Sequence, residues 1–78
     1  MTDKTIVKGL ALLEALADSE QPRGVTELAR QFGWAKSNAH RLLATLVNLG
    51  YVHRDGGRYT PSLKMWEVGT RVRSRLNV

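Results

Sequence analysis

The chain has 78 residues, no cysteine, and a formal net charge of +5 from 12 Lys/Arg against 7 Asp/Glu. That length allows one small domain with a limited core, and the absence of cysteine excludes a disulfide framework and a thiolate metal site. No apolar run reaches the length of a membrane span, and the N-terminus lacks the charged, apolar, small-residue order of a signal peptide, so a cytoplasmic protein without membrane contact is expected.

The charge is unevenly spread. Residues 1–50 carry six basic against five acidic side chains, and residues 51–78 carry six against two. A basic surface suits a polyanion, although a few spare lysines also serve ordinary solubility.

The first element is a helix over residues 5–18. Ile6, Leu10, Leu13 and Ala17 recur at helical spacing, and Val7, Leu12 and Leu16 widen the apolar surface beyond one stripe. A helix this apolar in so small a domain has two sides to bury. One packs on the rest of the core and the other on a second copy of the chain, so a homodimer is expected; the alternative is that the extra leucines merely cap a small core.

Asp18 to Gly24 reads as a loop by composition. A second helix begins near Val25, with Gly24 at its N-cap and Glu27 near its positive end. Without Ser or Thr at position 24 the reciprocal capping box is incomplete. Leu28, Ala29 and Phe32 face the core, and Gly33 is a natural left-handed stop.

The third helix spans about Lys36 to Leu49. Ala39, Leu42, Leu43, Leu46 and Leu49 share one face, with Val47 at its margin. Ser37, Arg41, Ala44 and Asn48 lie almost opposite, His40 and Thr45 beside them, and Asn38 on the flank. Gly50 ends the helix. Tyr51 to Arg54 is a short strand, Asp55-Gly56-Gly57 a hairpin turn, and Arg58 to Thr60 the returning strand. Pro61 closes this hairpin, and a last helix over 62–76 sets Leu63, Trp66, Val68 and Val72 among Lys64, Arg71, Arg73 and Arg75.

The order predicts a mostly α winged helix-turn-helix. It has a three-helix core, a two-stranded wing and a C-terminal linker helix, with the domain over 1–61 and the linker over 62–78. Trp34 is expected to anchor the turn in the core, Tyr51 and Tyr59 to pack the wing, and Met65 and Trp66 to supply packing surface.

The ordered motifs resemble the N-terminal domain of the IclR family of bacterial transcription regulators. Lys8 to Glu14 looks like that family's first helix and Thr26-Glu27-Leu28-Ala29-Arg30 like its second. Lys36-Ser37-Asn38-Ala39-His40-Arg41-Leu42-Leu43 resembles its recognition helix, where Lys-Ser-Thr-x-x-Arg-Leu-Leu is usual. Leu49-Gly50-Tyr51-Val52 and Gly57-Arg58-Tyr59 match the entry to and exit from the wing, and Leu63 to Gly69 resembles the start of the linker helix. Asn38 stands where Thr is usual, and Ala35 where Pro or Ser is. Family members continue into a larger effector-binding domain, so an effector ligand would need a domain absent from this chain.

The resemblance implies double-stranded DNA as partner, bound in the nucleoid of a bacterium. Phosphate contacts are expected from Lys36, Arg54 and Arg58, and from the start of the second helix with the Thr26 hydroxyl nearby. Ser37, Asn38, His40, Arg41 and Thr45 are the candidates on the recognition helix, since Arg suits guanine and Asn suits adenine in the major groove.

An enzyme finds little support. His40 and His53 have no cysteine partners and no helical ligand pairing, and no Gly-rich phosphate loop is present. No metal and no cofactor is expected. The rival reading is a winged-helix module that binds protein and not DNA. Such modules usually lose the basic recognition face, which Lys36, Arg41 and the basic wing retain here.

Overall fold

Asp3 opens the first helix. Its carboxylate accepts the backbone N–H groups of Thr5 at 2.9 Å and Ile6 at 3.4 Å, so α1 runs Lys4–Ala17. The computed structural model describes residues 1–76. Residues 77–78, the end of the expected 62–78 linker, lie outside the described residues.

Leu12 and Leu16 of α1 are fully buried with Ala15 beside them, whereas Ile6, Val7 and Leu10 are exposed. Leu13 is partly buried against the core. The stripe picked out by spacing therefore looks mostly outward, and the leucines that seemed only to widen it point inward. Both sides of the helix are apolar, so periodicity alone does not choose between them.

The segment 18–24, expected as loop throughout, ends in a two-residue strand, β1 (Arg23–Gly24). Helix α2 (Val25–Phe32) follows at once. Gly24 offers no side chain to the cap, but the Glu27 carboxylate reaches back to its backbone N–H at 3.1 Å. Gly33 has φ 71°, a left-handed conformation that a Cβ would oppose. There the Trp34 N–H donates to Ala29 O at 2.9 Å and the Gly33 N–H to Arg30 O at 3.3 Å, a Schellman closure.

Helix α3 (Lys36–Asn48) ends in the same way at Gly50. Leu49, expected on the core face, is exposed: it is the C-cap residue, beyond the last residue of the helix, and Gly50 then turns the chain away. Strands β2 (Val52–Asp55) and β3 (Arg58–Pro61) pair antiparallel with Asp55 opposite Arg58. Their connection is the two residues Gly56-Gly57, both at positive φ, as a tight hairpin requires. Strand β1 pairs with the other edge of β3, so the sheet has three strands in the order β1-β3-β2 and not two.

One core unites these elements. Leu12, Leu16, Leu28 and Leu43 are its largest fully buried side chains, with Ala15, Ala29, Ala39, Leu42, Leu46, Val52 and Tyr59 buried around them. Trp34 is half-buried against it, with its ring stacked on Phe32 at 4.6 Å between centroids and the Lys8 ammonium 5.4 Å from its own centroid. The anchoring role expected of Trp34 agrees with that placement.

Helix α4 (Leu63–Leu76) buries no residue, and Leu63, Trp66, Val72 and Leu76 are exposed. Hydrogen bonds tie its start to the body. The Ser62 hydroxyl donates to Gly50 O, the Ser62 N–H to Tyr51 O at 2.9 Å, and the Lys64 ammonium to Leu49 O at 2.9 Å. That ammonium also lies 4.7 Å from the centroid of the Tyr51 ring. A cation is thus placed at the negative end of α3.

Candidate nucleic-acid interface

Ala35 makes no side-chain cap to α3, and the first turn of that helix carries no acidic residue. Its opening amide N–H groups and the exposed Lys36 therefore form a positive end facing solvent. Ser37, His40, Arg41, Ala44, Thr45 and Asn48 continue as an exposed face along the helix, while Ala39, Leu42, Leu43 and Leu46 are buried behind it. Asn38 is half-buried on the flank. The polar side predicted from spacing is thus the free side of the helix, and α3 contains no Asp or Glu.

Two of its candidates are already engaged with each other. Arg41 Nη2 donates to Asn38 Oδ1 at 2.8 Å. The Thr45 hydroxyl donates to Arg41 O at 3.1 Å, a bond back to its own helix that leaves the oxygen only as an acceptor.

Between α3 and the wing lies a cleft of about 120 Å³ lined by His40, Ala44, Val47, Asn48, Arg54 and Tyr59. Arg54 and Tyr59 are cross-strand partners and share the sheet face turned toward α3. Tyr59 is buried and packs the wing on the core, while Arg54 is exposed at the rim. Among the described residues neither Lys36, Arg41 nor Arg54 has an ion-pair partner.

Arg58 is placed differently. Its Nη2 meets Glu27 Oε1 at 2.8 Å and its Nε donates to Pro22 O at 3.2 Å. Glu27 also accepts from Arg23 Nε at 3.3 Å, and Arg23 in turn donates to Ser19 Oγ at 3.0 Å and Gln31 Oε1 at 2.7 Å. The Gly24 N–H holds the Glu27 carboxyl below the ordinary glutamate range, helped by the charges of Arg58 and Arg23 and opposed by burial. Thr26, exposed in the first turn of α2, stands one residue from this cluster. In the sequence Glu27 shows itself only as a helix-end carboxylate. The Arg23 spacing of four is a visible signal for the pair, but Arg58 lies 31 residues away and gives none.

Among the described residues, no group of three His, Cys, Asp or Glu could hold a metal ion, and no helix is long and apolar enough to cross a membrane.

Comparison with known proteins agrees with this geometry. The chain is 36% identical over 69 residues to the HTH-type transcriptional regulator KdgR of Escherichia coli (strain K12), covering 86% of this chain and 26% of that protein. It is 38% identical over 66 residues to the transcriptional repressor IclR of the same organism, covering 85% and 22%. The crystal structure of an IclR family transcriptional regulator from Brucella abortus superposes with a TM-score of 0.86 at 30% identity, over 96% of this chain and 29% of that one. The chain thus spans about a quarter of the length of the curated relatives it matches. Residues 5–56, from α1 to the tip of the wing, match the IclR helix-turn-helix domain, and the chain belongs to that family.

Proposed function

We propose that this winged helix-turn-helix binds double-stranded DNA sequence-specifically and regulates transcription, with α3 in the major groove and the wing on the adjoining backbone or minor groove. The observation that carries the reading is the free face of α3: Lys36 and Arg41 stand exposed on a helix with no carboxylate, backed by a leucine core. Lys36, Arg54 and the start of α2 near Thr26 supply phosphate contacts, and Ser37, Asn38, His40, Arg41 and Thr45 face the base edges.

Residues 1–61 are the DNA-binding unit and 62–78 the linker. The bare side of α1, with Ile6, Val7 and Leu10, supports pairing of two copies on a two-fold site. The working compartment is the bacterial cytoplasm, on the nucleoid.

Selection of bound sites from random duplex DNA tests the proposal. An enriched motif made of two symmetric half-sites is the expected result. No enrichment over input, with the chain folded, would turn the reading toward a protein-binding winged helix.

A further inference from the structure

The two arginines of the wing lie on opposite faces of the hairpin. Arg54 pairs across the strands with Tyr59 and borders the cleft against α3. Arg58 pairs with Asp55 on one side and with Gly24 of β1 on the other. Gly24 has no side chain, so the guanidinium of Arg58 passes over bare backbone to reach Glu27 at the start of α2. A Cβ at position 24 would stand 3.4 Å from Glu27 Oε1, at the limit of tight contact. The same carboxylate holds the Gly24 N–H and Arg23, and Arg23 reaches Ser19 and Gln31. Arg58 therefore ends in a cluster that joins β3, the 18–24 segment and α2.

We propose that Arg58 serves DNA binding as a positioning residue, fixing the wing against α2 through Glu27, and that Arg54 is the wing's phosphate ligand. A guanidinium paired to a carboxylate at 2.8 Å has its charge answered within the protein and releases few counterions on meeting DNA. Arg54 has no such partner among the described residues. The inference rests on the DNA-binding reading and adds to it a division of labour that the basic composition of the wing does not show.

The test is the salt dependence of binding by the 78-residue chain and its variants to a duplex carrying the selected site. For B-DNA the slope of log K against log salt changes by about 0.9 for each phosphate that the protein no longer neutralises. Arg54→Ala is expected to lower the slope by about that amount. Arg58→Ala is expected to weaken binding about two- to five-fold, the scale of an exposed ion pair, with the slope unchanged. Glu27→Gln is expected to weaken binding similarly, and the double variant no further than either single one.

A phosphate role for Arg58 predicts the opposite signs. Its removal would then flatten the slope, and Glu27→Gln, by freeing the guanidinium, would tighten binding. Either result overturns the proposal. The folded fraction of each variant is measured by circular dichroism at every salt concentration and the affinity corrected for it, so a change of slope reports phosphate contacts and not stability. Wild-type protein that binds no duplex at low salt would fail the DNA-binding reading itself; wild-type binding with a flattened Arg58→Ala slope would fail only the division of labour between the two arginines.

Discussion

Asn38 Oδ1 accepts a hydrogen bond from Arg41 Nη2 at 2.8 Å, so two side chains one turn apart on α3 act as one unit. A guanidinium held at one edge offers its remaining N–H groups in a set direction, which favours bidentate contact with guanine O6 and N7. Arg41→Ala is expected to lose about 1–3 kcal/mol of discrimination at one base pair, with helical content unchanged. Asn38→Ala is expected to relax the same base pair by less. Gel-shift competition against single-base variants of the site measures both. Responses at two different base pairs would show that the residues read separately.

Lys36 stands at the uncapped start of α3 and has no ion-pair partner among the described residues. Lys36→Ala is expected to weaken all duplexes about equally and to reduce the salt slope by about 0.9. Fluorescence anisotropy across a salt series checks this. A loss confined to the preferred site would move Lys36 among the base readers.

The two sides of α1 allow stability and the proposed pairing of two copies to be tested separately. Leu12 is fully buried, so Leu12→Ala is expected to cost about 2–5 kcal/mol in urea unfolding. Leu10 is 55% exposed. Leu10→Glu is expected to leave the fold's intrinsic stability within about 0.5 kcal/mol and to shift sedimentation from dimer to monomer. Equal sedimentation of wild type and variant would place the pairing surface elsewhere.

Glu27 makes stability sensitive to acid. Its folded pKa lies below the ordinary glutamate value, first through the Gly24 N–H and then through Arg58 and Arg23. The fold thus favours the charged form. This contribution is fully present above the unfolded pKa and disappears as pH falls through the folded one. Glu27→Gln is expected to be less stable than wild type at neutral pH and to lose less on acidification below the ordinary glutamate range. Urea unfolding at a series of pH values measures the difference, and parallel pH profiles for the two proteins would exclude Glu27 as a source.

Helix ends at Gly33 and Gly50 and the turn at Gly56-Gly57 are legible in the sequence because each rests on a local signal: a left-handed glycine beside a periodic apolar run. The free face of α3 is legible for the same reason, since its apolar and polar residues separate cleanly at helical spacing. Strand β1 is not. Two residues, one of them glycine, show no alternation, and their pairing with β3 is settled some 35 positions later by the hairpin. The inward side of α1 is hidden because leucines occupy both sides. The Glu27–Arg58 contact is hidden because the wing folds back over α2, a closure that no local pattern in either segment announces.

Strand β3 is the middle strand of its sheet, and this matters for recognition. A hairpin joined to the body along one edge alone would keep swinging and would lose that freedom on every encounter with a duplex. Here the returning strand is stitched on both sides, so its ordering entropy is already lost during folding. On the proposed function, complex formation is then expected to demand little rearrangement from the protein, and a duplex whose groove width or bend does not suit that fixed contour is expected to bind less well whatever its base sequence.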